Sequence, residues 1–301
     1  VSNSAGPWIG LPSSPDLARP FDVTHRFVGH PLLTLESLLE LAKRLPAPLV
    51  RYHSGTLAPS ADFDTVHVEH ATGLSIEETM RSIETAGSFV QINHIEKDAM
   101  YRELVDVVLD GVEQELAPVH GRLLDREGWI FVSSPGAVTP YHMDHHANFL
   151  LQVHGEKVVH VWNPADRSVV PEEVLESFHA HYSLKDVKYR DEYAAKSYAA
   201  KVRPGVGVFM PYTAPHMVQN HGETSITLSI SFSTARDHRA ALVHIANHVL
   251  RRIGLAPSPG GRSDVKDRLK GRFAQTYLGL QRVVRRARGA APPEGYAQRE
   301  G

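Results

Sequence analysis

Apolar residues recur at helical spacing in three places ahead of residue 128. Leu35, Leu38, Leu39 and Leu41 fall on one face between Thr34 and Leu45, and Pro46 and Pro48 end the run. Ser75 followed by Glu78 is a capping-box pair, which predicts a helix from there to about Ala86. Asp98 is placed to cap a longer helix whose stripe is Leu104, Val105, Val108, Leu109 and Val112. Residues 1–30 show neither period and read as an irregular arm.

The texture changes near Gly128. Trp129–Ser133 is rich in strand formers, and Pro135-Gly136 marks a turn. His142–Val153 and Lys157–Trp162 read as two strands joined at His154-Gly155-Glu156. Residues 164–202 read as an insertion, partly helical after Pro171. Strand character returns at Val206–Met210, breaks over Pro211–Pro215, resumes at His216–Gln219 and ends with Ser225–Phe232. From Ala235 on, helices are expected, interrupted at Pro257–Gly261, with a disordered tail after Gly289. The pattern predicts a mainly β barrel or sandwich core with helical flanks. Its divisions are 1–127 (arm and helical flank), 128–234 (strand core with the insertion) and 235–301 (C-terminal helices and tail).

Composition narrows the function classes. Of 301 residues, 42% are apolar and 22% charged, as in an ordinary globular chain. A net charge of -2 makes no case for nucleic-acid binding by the whole molecule. From Arg251 on there are twelve Lys/Arg against four Asp/Glu; a solvated helical face explains this more simply than a polyanionic partner. The chain has no cysteine, which excludes disulfides, thiolate metal sites and cysteine nucleophiles and fits a reducing cytoplasm. No apolar run reaches the roughly 18 residues of a membrane span, so no membrane partner is expected. Val1–Pro15 lacks the basic-then-apolar order of a signal peptide.

Candidate chemistry starts at His142-Met143-Asp144. In a strand, residues two apart face the same way, so an imidazole and a carboxylate would converge. A third ligand from a later strand would complete a two-histidine, one-carboxylate set for a divalent transition metal. His216 is well placed for that, behind the proline-fixed turn Pro211–Pro215. Asn148 lies at an even offset from Asp144 and would share its face. Lys157 enters the next strand, where a buried ammonium needs an anion. Ser225, Thr227, Ser229 and Ser231 alternate with Ile226, Leu228, Ile230 and Phe232; parity alone does not tell whether the hydroxyl face meets solvent or lines a polar barrel interior.

The run Thr139-Pro140-Tyr141-His142-Met143-Asp144, then Asn148, Gln152, Gly155 and Lys157, resembles the core motif of JmjC-type hydroxylases. It is particularly similar to the asparaginyl hydroxylase of hypoxia-inducible factor and to bacterial cupin-like relatives. The likeness is strong from about Trp129 to Phe232. It implies a double-stranded β-helix holding Fe(II) at His142, Asp144 and His216, with 2-oxoglutarate as co-substrate and O2 as oxidant. It would put the far carboxylate of 2-oxoglutarate on Lys157 and Thr139, with Asn148 nearby. Ser231 stands where the asparaginyl hydroxylase has an Asn near the metal, a departure that bears on how oxygen or the co-substrate is oriented. The implied activity is hydroxylation, with N-demethylation as a variant of the same chemistry. A non-catalytic metal-binding cupin would keep the three ligands but have no need of Lys157 and Thr139. The substrate class (protein, RNA or small molecule) is not specified by the core. The C-terminal stripe Leu242, Ile245, Ala246, Val249 and Leu250 would, by the same resemblance, form a homodimer interface.

Overall fold

The computed structural model describes residues 6–287. Two compact units are present: the described parts of 1–165 with 188–234, and of 166–187 with 235–301.

Along the first unit run β1 (Ile9–Gly10), β2 (Phe21–His25), α1 (Leu35–Arg44), β3 (Val50–Ser54), α2 (Val66–Glu69), α3 (Ile76–Arg81) and β4 (Ser88–Ile92). Then come α4 (Ala99–His120), β5 (Leu124–Ser133), β6 (Val138–His142), β7 (Ala147–His154), β8 (Lys157–Val161), β9 (Tyr198–Val202), β10 (Val206–Met210), β11 (His216–Asn220) and β12 (Ser225–Ser233). Eight strands form one sheet in the order β1-β2-β10-β7-β12-β5-β4-β3, and four form a second in the order β6-β11-β8-β9. All pairings are antiparallel.

The period-2 pattern of β12 explains how the sheets are filled. Ile226, Leu228, Ile230 and Phe232 join Phe149, Leu151 and Val153 of β7 in a core completed by Leu104, Val105, Val108, Leu109 and Val112 of α4. Each such side chain, fully buried, contributes roughly 1.5–3 kcal/mol. The opposite face of the large sheet looks at the small one: Leu150, Val208 and Met210 pack with Val159, Val161, Ala200, Val202 and Val218. The hydroxyl face of β12 therefore lines the interior, and every residue of that strand is buried.

Helix starts agree with their cap chemistry. Ser75 Oγ accepts the Glu78 N–H, and Glu78 Oε2 accepts the Ser75 N–H at 2.8 Å. That helix ends at Arg81 rather than near Ala86. Asp98 Oδ1 caps α4 at Met100 N. Three sequence expectations need correction. Part of the supposed irregular arm forms β1 and β2, which extend one edge of the large sheet. The single strand expected over 142–153 is two, β6 and β7, in different sheets. The turn at 154–156 likewise joins the large sheet to the small one instead of closing a hairpin. Gly155 makes that crossing possible: its φ is +74°, and a Cβ there would collide with the Thr224 carbonyl.

The second unit contains α5 (Glu172–His181), α6 (Ala235–Arg252) and α7 (Asp264–Ala287). Glu176, only 1% exposed, accepts from Arg251 Nε at 2.7 Å. Leu242, Ile245 and Ala246 of α6 pack on Ala274, Tyr277 and Leu278 of α7, so much of the α6 stripe is consumed inside the unit. The tail after Gly289 lies outside the described residues.

Candidate metal centre

His142 is the last residue of β6, and His216 the first of β11; the two are register partners in the small sheet. Asp144 lies two residues beyond the end of β6, so it arrives by the loop into β7 and not by strand alternation. His142 Nε2 is 3.8 Å from Asp144 Oδ1, and His216 Nε2 is 3.5 Å from Asp144 Oδ2. Among the described residues this is the one group of three such side chains whose donor atoms all lie within 4.8 Å of one another.

The backbone sets the tautomers. His142 Nδ1 lies 2.8 Å from the Pro140 carbonyl oxygen, and His216 Nδ1 lies 3.0 Å from that of Ala214. A carbonyl can only accept, so each Nδ1 carries its proton and each Nε2 offers a lone pair, as a metal ligand requires. Burial, then the neighbouring His216 ring, pushes His142 down to about 3 against the pull of Asp144. It is thus neutral at any physiological pH. Two neutral imidazoles and one carboxylate around a common point suit a divalent transition metal and leave coordination positions open.

Deeper in the same interior lies Lys157, only 3% exposed. It pairs in register with Asn220, four residues along β11 from His216, about 13 Å at the rise of a strand. Its side chain shares a strand face with Val159 and Val161 of the interior core. It forms no ion pair or hydrogen bond among the described residues, and burial alone pulls its pKa from 10.5 to about 7.

Thr139 reaches this face through an irregularity. His216 pairs with His142, but Val218 pairs with Thr139, so β6 carries one extra residue across that step. Such a bulge turns a three-residue offset into a shared face. Pro140, which has no N–H to donate, sits inside it on an edge strand.

Most of the interior amides and hydroxyls satisfy one another. Asn148 Nδ2 donates to Ser229 Oγ at 2.6 Å. Gln152 Nε2 donates to Ser225 Oγ at 2.9 Å, while Gln152 Oε1 accepts from Thr227 at 2.9 Å. Ser231 sits in register between Asn148 and Glu127. Its hydroxyl has no hydrogen bond among the described residues although the residue is 6% exposed. Asn148 Oδ1 is also buried without a partner.

Phe63 is a neighbour that sequence reasoning missed. Its ring stacks on His142 with centroids 3.9 Å apart and planes 10° from parallel. No local pattern announces it, because the two residues are far apart in the chain. His146 lies 3.6 Å from Glu127, and His94 lies 4.0 Å from the same carboxylate. Tyr141 packs against Trp162, Tyr189 and Tyr193. Tyr193 is buried, its carbonyl accepts the Trp162 indole N–H at 2.6 Å, and Tyr198 donates to Asp22 at 2.8 Å. These tyrosines of 188–198 thus serve as packing and anchor points.

Two antiparallel sheets enclosing an apolar interior, with a His-Asp-His donor set on the smaller one, define a cupin-type metal-binding fold. Residues 63–238 match the model of the cupin-like domain family, more than half of the chain, and the protein belongs to that family. No functionally curated protein matches it in sequence. Among solved structures it is similar to the Escherichia coli ribosomal oxygenase YcfD, at 16% identity and TM-score 0.46, covering 86% of this chain and 63% of that one. The same protein in complex with cobalt and 2-oxoglutarate matches at 16% identity and TM-score 0.44, with the same shares. The chain therefore spans less than two thirds of the length of those proteins. Among the described residues no helix is long and apolar enough to cross a membrane.

Proposed function

We propose that this protein is an iron(II)- and 2-oxoglutarate-dependent oxygenase, acting as a hydroxylase on a substrate still to be identified. One observation carries the reading: a metal-ligand triad and a buried ammonium without a counter-ion share one interior. An unpaired buried charge is costly, and a protein keeps one where a ligand supplies the opposite sign.

His142 and His216 would ligate through Nε2 and Asp144 through its carboxylate. A ferrous ion held there supplies oxygen activation, coupled to oxidative decarboxylation of 2-oxoglutarate. Lys157 and Thr139 would hold the far carboxylate of the co-substrate. Pairing with it returns Lys157 toward its ordinary pKa and keeps the proton on Nζ. Val159, Val161 and Val218 keep water out of the intervening space. The unpartnered Ser231 hydroxyl and Asn148 Oδ1 are available to orient the co-substrate. N-demethylation would use the same residues on an N-methyl carbon.

The partner assignment shifts from α6 to α7. Val265, Leu269, Phe273, Leu280, Val283 and Val284 of α7 are exposed. At 100° per residue they form one stripe along the helix, and we assign it to a homodimer contact. We place the protein in the cytoplasm, where ferrous iron stays reduced.

The test is conversion of 2-oxoglutarate to succinate by the purified protein supplied with Fe(II) and O2. Turnover should be measurable, even if slow without substrate, and absent in Asp144→Ala. Metal binding with neither 2-oxoglutarate binding nor turnover would instead leave a non-catalytic cupin acting as a sensor.

A further inference from the structure

We infer that Phe63 is a positioning residue for His142, so that the segment carrying it and the metal site become ordered together. This rests on the reading of His142, Asp144 and His216 as metal ligands. Three contacts hold the His142 ring. Nδ1 meets the Pro140 carbonyl at 2.8 Å, the Phe63 ring lies on one side at 3.9 Å, and the His216 ring stands at 4.1 Å, tilted by 54°. Together they leave the imidazole one orientation, with Nε2 toward Asp144.

Phe63 joins neither apolar core of its unit and is itself only half-buried. Core packing therefore does not account for a phenyl group there. Its segment runs along the edge strand β6 and is tied to it twice, by Val138 N to Gly55 O at 3.0 Å and by Tyr141 N to Pro59 O at 2.9 Å. The Asp62 backbone oxygen accepts from Thr65 N and Val66 N at 3.2 and 3.1 Å, which sets the turn that presents Phe63. Lys188 approaches Asp62 at 4.0 Å from the other flank.

The stack responds to the metal. A neutral imidazole interacts weakly with a phenyl face. Once Nε2 donates to a divalent cation, the ring becomes electron-poor and is drawn more strongly to that face, as cations are. A contact that is stronger in the loaded state raises metal affinity, and by linkage the metal steadies residues 55–65 to the same degree.

Cobalt(II) alone, titrated into the full chain, tests this through affinity and the visible absorption of the bound ion. Phe63→Ala and Phe63→Leu should weaken binding by about three- to tenfold, the range expected for an aromatic pair. Both should alter the cobalt spectrum, and Phe63→Tyr should restore it. Amide exchange across 55–65 should slow when cobalt is added to the wild type and not to Phe63→Leu. Phe63→Leu equal to wild type in affinity and spectrum, or exchange in 55–65 indifferent to cobalt, overturns the inference while the triad stands. A wild type that binds no cobalt overturns the triad itself. Should Phe63→Ala not fold, the Leu and Tyr variants carry the test.

Discussion

Replacing Lys157 by Met should make the ligand-free protein more stable while abolishing its response to 2-oxoglutarate. Burial lowers the lysine from 10.5 to about 7 without an acidic partner to offset it. At 1.36 kcal/mol per pKa unit, that difference corresponds to a ceiling of about 5 kcal/mol. Water penetration and side-chain relaxation reduce it, so we expect about 2–4 kcal/mol. Methionine has a similar length and no charge to desolvate. The sign follows from proton counting. The unfolded chain keeps the lysine proton up to 10.5, whereas the folded chain releases it from about 7. Between those values the unfolded state binds more protons, so the lysine's penalty shrinks as pH rises. Below 7 both states are protonated and the penalty is complete. Urea unfolding of wild type and Lys157→Met at pH 6.5 and pH 10, compared as a difference, isolates this group from others that titrate. The variant's advantage should be largest at pH 6.5 and smaller at pH 10. Added with Mn(II), 2-oxoglutarate at about 100 times its Kd should stabilise the wild type by about 2.7 kcal/mol and the variant by nearly nothing. A variant less stable than wild type by the same amount at both pH values would mean that the ammonium has a partner inside the protein, and the proposed anion site would be lost.

Other consequences can be measured directly. Chelation should abolish turnover and Fe(II) restore it, while Asp144→Ala should bind no cobalt in a titration. Gly155→Ala should cost about 2 kcal/mol or more in chemical unfolding, because it forces a side chain into a left-handed conformation against the Thr224 carbonyl. Leu228→Ala, at a fully buried position in β12, should cost about 2–5 kcal/mol by the same measurement. Leu269→Glu with Val283→Glu should turn a dimer into a monomer in light scattering; a monomeric wild type at micromolar concentration would remove that proposal.

What was legible in the chain followed from short-range physics. Helix caps at Ser75 and Asp98 need only the next three residues, and the stripe of α4 needs only its own period. The alternation along β12 likewise announced a two-faced strand. Other features depended on partners far away in sequence. β3 and β4 are short strands whose place is set by pairing with β5, and β1 and β2 by pairing along β10. The exposed stripe of α7 became distinguishable from that of α6 only once the two helices packed together.

The amino-acid order by itself determined the donor chemistry: two histidines, one carboxylate and one lysine, in a spacing that resembles a known motif. Only the tertiary structure decided how they meet. Asp144 arrives by a loop, Thr139 turns inward through a bulge, Phe63 comes from another part of the chain, and the serine face of β12 looks inward. The reason is that strand alternation has a period of two. One extra residue reverses every side chain beyond it, and whether that happens is settled by the neighbouring strands and not by the strand's own residues.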